Sequence, residues 1–226
     1  MLEALRTFYE EKALTYPVGD PTARIRYEKA IELAGLSPAH AFLDIACRDA
    51  VMLDVLDMRG FAADGYAGVD ISERVVSKNR ERRPGRRFEL GDVTARLPFA
   101  DGTFDRIFAL EILEHLTSPV LLLNEARRLL NENGRLILSV PNPYYYMELV
   151  NEVRGFPDTE GHIQSFSDAN LRALLALAGF GVERMVGTYF EIPRRARRAF
   201  ATQNTWFVRR VHPLLARSRI YRCRKV

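Results

Sequence analysis

Cysteine is nearly missing from this 226-residue chain, which has only Cys47 and Cys223. Two thiols this far apart fit no metal-ligand spacing. The lack of a disulfide framework suits a reducing compartment, so a cytoplasmic protein is expected. Long apolar runs are missing too. The stretch from Phe108 to Leu116 is interrupted by Glu111, Glu114 and His115, so it falls short of the roughly 20 apolar residues that span a bilayer. The first residues carry Glu3, Glu10 and Glu11 where a signal peptide would have an apolar core. Internal repeats and low-complexity tracts are absent. With 47% hydrophobic and 27% charged residues, the composition is that of an ordinary globular domain, and one domain over residues 1–226 is expected.

Acidic residues are scarce near one end only. From Glu191 onward there are eleven lysines and arginines and one acid, whereas the preceding residues carry 22 basic and 28 acidic side chains. The overall charge of +4 therefore combines a mildly acidic body with a strongly basic segment.

Hydrophobic periodicity predicts strands alternating with helices. A helix over Arg24–Leu36 precedes a strand over Ala41–Ala46, a helix over Asp49–Met58 and a strand over Tyr66–Ile71. Ser72 then caps a basic helix with Val75 and Val76 inward. Strands follow at Arg87–Asp92 and Phe104–Leu110. A helix over Pro119–Leu130 has proline at its start and Asn133-Gly134 past its end, and a central strand follows at Arg135–Val140. Beyond the Pro- and Tyr-rich loop of residues 141–166 come a helix over Ser167–Ala178 and strands over Val182–Tyr189 and Ile220–Arg224. This order implies an α/β fold, a doubly wound and mostly parallel sheet with both faces covered.

Glycine is missing where such a sheet would most use it. Leu43-Asp44-Ile45-Ala46-Cys47-Arg48-Asp49-Ala50 is an apolar run followed by a tight turn, and Gly68-Val69-Asp70-Ile71-Ser72 is a second run ending in an acid. Together they describe the first half of a nucleotide-binding sheet, in which the second carboxylate suits ribose hydroxyls. The turn places Ala46, Arg48 and Ala50 at positions that usually hold glycine, and the side chain of Arg48 must point outward for a ligand to approach the backbone.

These motifs, with Gly91-Asp92-Val93, Phe104-Asp105 through Leu116, and Asn133 through Asn142, resemble in order and spacing the S-adenosylmethionine-dependent methyltransferases of the Rossmann-like class, in their small-molecule, type 11-like branch. The similarity runs from about Phe42 to Phe180. It implies seven strands with the last antiparallel, and S-adenosyl-L-methionine as cofactor. Asp70, next to Ile71, would accept from the ribose hydroxyls, and Asp92 would accept from the adenine amino group, with the Val93 amide facing the ring. Asp44 would organise the loop near the methionine amino group, and Ala46 and Arg48 would line the turn. Glu111 either faces the cofactor or caps the next turn. Residues 1–40 would form a helical lid, with Tyr16 over the cofactor.

The acceptor is expected above the carboxyl ends of the strands, against residues 141–166. There Tyr144, Tyr145 and Tyr146 either clamp a ring or pack the loop onto the core. His162 is the candidate general base, because an imidazole suits taking a proton from a hydroxyl near neutral pH, and His115 is the second candidate. In the basic insertion of residues 190–218, Ala196, Phe200, Gln203, Phe207 and Val211 fall at helical spacing among Arg194, Arg195, Arg197 and Arg198. Such a helix could pack on the sheet or across a dimer interface. It could also meet an anionic membrane surface or a lipid- or phosphate-linked substrate, or contact RNA phosphates. The expected function is methylation of a small molecule at oxygen. The alternatives are a binding protein whose turn has lost the cofactor, and an RNA methyltransferase. The last is disfavoured because Leu110-Glu111-Ile112-Leu113 stands where an Asn/Asp-Pro-Pro-aromatic motif would serve base nitrogens.

Overall fold

The computed structural model describes residues 7–11, 20–157, 160–191, 207–208 and 210–226. Helix α1 (Pro21–Ala34) begins a turn earlier than its apolar spacing suggests. Asp20 caps it, accepting from the Thr22 amide at 2.9 Å, and Pro21 fills the first turn, where no amide hydrogen is needed. Strand β1 (Phe42–Ile45) leads to α2 (Val51–Met58), β2 (Tyr66–Asp70) and α3 (Glu73–Arg82). Ser72 caps α3 as expected, its hydroxyl accepting from the Val75 amide at 3.2 Å. Then come β3 (Arg87–Leu90), β4 (Phe104–Leu110), a 3-10 turn (Leu113–His115), α4 (Pro119–Leu129) and β5 (Leu130–Pro141). The chain continues through α5 (Tyr146–Val153), α6 (Asp168–Leu177), β6 (Phe180–Gly187), β7 (Phe190–Glu191), β8 (Phe207–Val208) and β9 (Ser218–Lys225).

Seven strands form one sheet in the order β3-β2-β1-β4-β5-β9-β6. The first five are parallel, and β9 runs antiparallel to both β5 and β6. Alternate residues of each strand feed two cores. Leu43, Ile45, Ile107, Ala109, Leu136 and Leu138 pack with α4 and α6 on one face. Phe42, Tyr66, Phe108 and Ile137 pack with α1, α2 and α3 on the other. Burial on both faces explains why the strands read as continuous apolar runs. The chain winds outward from β1 to β3 and then returns to β4 on the far side of β1. This reversal opens a crevice at the carboxyl ends of β1 and β4.

Three sequence expectations need correction. Asn133-Gly134 does not terminate a helix ahead of a short strand. It lies inside β5, in an irregularity between the pairs Phe104↔Leu130 and Arg106↔Arg135, because the strand takes over directly where α4 ends. The stretch 141–166 contains α5, whose Met147, Val150 and Val153 repeat at helical spacing behind the tyrosine run. Phe207–Val208, assigned to an amphipathic helix, is instead a strand paired antiparallel with Phe190–Glu191. Aromatic and β-branched residues are enriched in strands. Residues 192–206, including Arg194, Arg195, Arg197 and Arg198, and Tyr16 lie outside the described residues.

Candidate active site

A cavity of about 1300 Å³ opens at the carboxyl ends of β1, β2, β4 and β5. At one end it is built by the first half of the sheet. Asp70 finishes β2 and is buried, with both carboxylate oxygens held by backbone. Oδ2 accepts from the Arg48 amide at 3.1 Å and Oδ1 from the Ser72 amide at 3.0 Å. Burial raises its proton affinity, and these amides oppose that shift. The turn after β1 has the backbone its missing glycines would have provided: φ is +56° at Ala46, +46° at Arg48 and +55° at Ala50. A left-handed conformation costs a side-chain-bearing residue about 1–2 kcal/mol, so the surroundings must hold it. Asn79 of α3, which sequence reasoning did not single out, does so by donating its amide to the Arg48 carbonyl at 2.5 Å. Ala46, Arg48, Ile71, Asp92 and Val93 line the same end. Asp92 Oδ1 accepts from the Thr94 amide and hydroxyl at 2.8 and 2.7 Å.

Asp44 is placed differently from the expectation. It does not line the cavity but is fully buried beneath it. Tyr27 donates its hydroxyl at 3.3 Å and Tyr66 at 3.5 Å. Burial pushes the Asp44 carboxyl up to about 8 against these hydrogen bonds. Gly68 makes room for this arrangement, since a Cβ there would stand 2.7 Å from the Tyr66 hydroxyl and 2.9 Å from the Phe88 ring.

The other end of the cavity is assembled from distant segments. Glu111 follows β4 with φ at +52°. Its Oε1 accepts from the Ser139 hydroxyl at 2.7 Å and its Oε2 from the Ser218 hydroxyl at 3.0 Å, with Arg26 3.5 Å away. His115 and His162 bring their rings to 4.8 Å between centroids, and His115 Nδ1 lies 3.1 Å from the Gly161 carbonyl oxygen. Glu114 lies beside them, 1% exposed, and neither carboxylate oxygen has a hydrogen-bond partner. Burial first, and then the nearby charge of Glu111, drives its proton affinity well above that of an ordinary carboxylate. Because β9 is antiparallel, its first residues come back to this end, and Arg217 lines the cavity. Asn142 fixes that segment, donating its amide to the carbonyls of Leu214 and Ala216 at 2.9 and 2.8 Å.

The three tyrosines do not line the cavity. Tyr144 points outward, 59% exposed. The Tyr145 hydroxyl accepts from the Glu191 amide at 3.0 Å, and the Tyr146 hydroxyl donates to the Glu191 carbonyl at 3.0 Å. Both rings pack on Phe190. The run therefore fastens β7 onto the loop, as amphipathic rings with polar tips can. Met147, Leu149, Phe156 and Ile163 take the place assigned to them.

A sequence profile described as a methyltransferase domain matches residues 22–184. The chain belongs to this family. A probable S-adenosylmethionine-dependent methyltransferase of Mycolicibacterium smegmatis is 30% identical over 60% of this chain and 55% of its own length. A demethylmenaquinone methyltransferase of Beutenbergia cavernae is 27% identical over 80% of this chain and 83% of its own length. The fold matches the crystal structure of an S-adenosylmethionine-dependent methyltransferase of Thermotoga maritima, with a TM-score of 0.72 at 18% identity over 98% of this chain and 100% of that one. The chain spans only about half of the mycobacterial relative and 36% of a further curated relative.

Membership of the methyltransferase family implies S-adenosylmethionine as cofactor, and the residues present fit it. The Asp70 carboxylate, oriented by two amides, faces a cavity lined by eight carboxylates and three arginines, Arg26, Arg48 and Arg217. That excess of acids suits a sulfonium cation. No helix among the described residues is long and apolar enough to cross a membrane.

Proposed function

We propose that this methyltransferase transfers the methyl group of S-adenosylmethionine to an oxygen of a small acceptor carrying an apolar tail, such as a hydroxylated quinone. The cavity carries this proposal. Its two chemically distinct ends share one volume of about 1300 Å³, larger than the roughly 300–1,000 Å³ typical of a pocket for a single ligand. When bound, the cofactor supplies an electrophilic methyl group. Asp70 would accept from its ribose hydroxyls, with Asp92 and Val93 beside the adenine, while Arg48 would meet its carboxylate. Asp44 would act indirectly, by holding the strand end through Tyr27 and Tyr66. Glu111, pinned by Ser139 and Ser218, would separate cofactor from acceptor. At the far end His162, or His115 as the second candidate, would take the proton of the acceptor hydroxyl as its oxygen is methylated.

The apolar tail is supported by the mouth of the cavity, where Leu149, Phe156 and Ile163 are 49%, 58% and 57% exposed. The quinone substrate in the name of the Beutenbergia relative agrees with it. Titration calorimetry with S-adenosylhomocysteine, followed by label transfer from S-adenosylmethionine to hydroxylated isoprenoid quinones in detergent, tests the proposal. Saturable binding with label on the quinone oxygen is expected. Absence of S-adenosylhomocysteine binding would make the chain a binding protein rather than an enzyme, and label on carbon or nitrogen would overturn the oxygen assignment.

A further inference from the structure

Glu114 presents a physical problem that the proposed methyl transfer does not solve. A carboxylate that is 1% exposed, with both oxygens lacking a hydrogen-bond partner, carries a large desolvation cost. Buried carboxylates of this kind are normally paired, protonated or bound to a metal. Arg26, whose charge also reaches Glu114, stands 3.5 Å from a Glu111 oxygen and makes no hydrogen bond to the Glu114 carboxylate. The groups placed next to Glu114 are His115 and His162. One ligand atom from each of the three residues lies within 4.8 Å of the others.

We propose that Glu114, His115 and His162 form a binding site for a divalent transition-metal ion at the acceptor end of the cavity. The donor set of two imidazoles and one carboxylate is that of zinc or of a first-row metal of similar preference. Three protein ligands leave room for a water or an acceptor oxygen, and the cavity supplies access to that position. The site is also supported from outside. His115 Nδ1, 3.1 Å from the Gly161 carbonyl oxygen, is in position to donate its proton there. That tautomer places the lone pair on Nε2. Glu160 Oε2 stands 3.5 Å from His162 Nε2 and orients the second ring. The Glu114 carbonyl accepts from the amides of Ile163 and Gln164 at 2.9 and 3.1 Å, tying the loop that carries His162 to the turn that carries the other two ligands. Ligands bonded at about 2.1 Å around a tetrahedral centre stand roughly 3.3 Å apart, so the side chains need to close by only about an ångström or so.

Glu111 is outside this set because Ser139, Ser218 and Arg26 already engage it. No spacing in the sequence signals the site, since its ligands come from the turn after β4 and from the loop beyond α5. With an ion bound, both imidazoles are ligands. Activation of the acceptor oxygen then passes from proton removal by histidine to polarisation by the ion, a refinement of the proposed methyl transfer.

The test uses the full chain, stripped with a chelator and titrated with zinc and with manganese against a chromophoric indicator. One equivalent of ion per chain is expected for the parent. Glu114→Gln and His162→Gln should each weaken affinity at least tenfold, whereas His40→Gln, remote from the cavity, should leave it unchanged. Cobalt in place of zinc should give a visible absorption band that both cluster variants lose, and circular dichroism shows whether each variant remains folded. No saturable binding by the parent, or equal binding by parent and folded cluster variants, overturns the site. S-adenosylhomocysteine titrations on the same samples report separately on the proposed enzyme, so failure of one does not pass for failure of the other.

Discussion

The two ends of the cavity are built by opposite strategies. At the Asp70 end, the carboxylates of Asp70 and Asp92 lie on a strand tip or on the turn directly after it, and accept hydrogen bonds from within a few residues or from the neighbouring strand's loop. Ser72 serves Asp70, Thr94 serves Asp92, and the Arg48 amide crosses from the adjacent turn. At the histidine end, residues from β4, β5, β9 and two loops meet only after the whole sheet has closed. Glu114 there is left without a partner. A locally specified site, with its carboxylates held by nearby amides, suits a ligand shared by a whole family. A site assembled over long range, with unmet polar groups, suits a ligand particular to the chain.

The largest effect that sharpens this contrast is on cofactor affinity. Asp70→Ala should weaken S-adenosylhomocysteine binding by on the order of 2–4 kcal/mol in calorimetry, because a charged acceptor shared by two hydroxyls is lost. An affinity within twofold of the parent would remove Asp70 from the ribose. Next, Asn142→Leu strands the buried carbonyls of Leu214 and Ala216. It should lower stability by about 2–3 kcal/mol in denaturant unfolding and impair acceptor turnover more than S-adenosylhomocysteine affinity. Equal loss at both ends would break the distinction between them.

A pH-dependent effect comes from Asp44. Its carboxyl is pushed up to about 8 in the folded chain, against about 4 when unfolded. Between those values the folded form keeps a proton that the unfolded form releases. Stability from this group is therefore full at low pH, falls as pH rises through the window and is flat above it. Asp44→Asn removes the titration, so its stability relative to the parent should rise between pH 5 and pH 8 by up to about 1.4 kcal/mol per pH unit in thermal melts. Parallel pH curves for the two proteins would contradict the burial argument.

The smallest effect belongs to the turn. Replacing Arg48 or Ala50 by glycine relieves a left-handed residue but frees the unfolded chain, so stability should shift by no more than about 1 kcal/mol. The affinity readout matters more. If Arg48→Gly binds S-adenosylhomocysteine as tightly as the parent, its guanidinium does not hold the cofactor carboxylate.

The same contrast decides what was legible in the sequence. Strand tips and turns declare themselves locally, so Asp70, Asp92, Ser72 and the alternating order of elements could be read directly. Asp44 lies on the correct strand, but its role depends on Tyr27 and Tyr66 reaching it from other elements, and neighbouring sequence carries no sign of that. Tyr144, Tyr145 and Tyr146 stayed open between a clamp and loop packing because composition does not reveal which way a loop faces. His115 and His162 were visible as chemistry-bearing residues, yet their partner Glu114 read as a break in an apolar run. Asn79, Asn142 and Arg217 act only through pairings set by the sheet.

Both β5 and β6 pair with β9 and not with each other. Until Ser218–Lys225 inserts between them, the growing sheet ends in an open edge at β5, and β6 has no ladder partner. Open edges recruit other chains, and bringing in a strand so distant from β5 incurs loop-closure entropy before any pairing is gained. The topology therefore predicts late sheet closure, seen as hydrogen-exchange protection of β9 developing after that of β1–β5. Because the strand that completes it also carries Ser218 to Glu111 and follows directly on Arg217, a folding intermediate lacking β9 would have an intact Asp70 end, no formed histidine end, and an edge prone to aggregation.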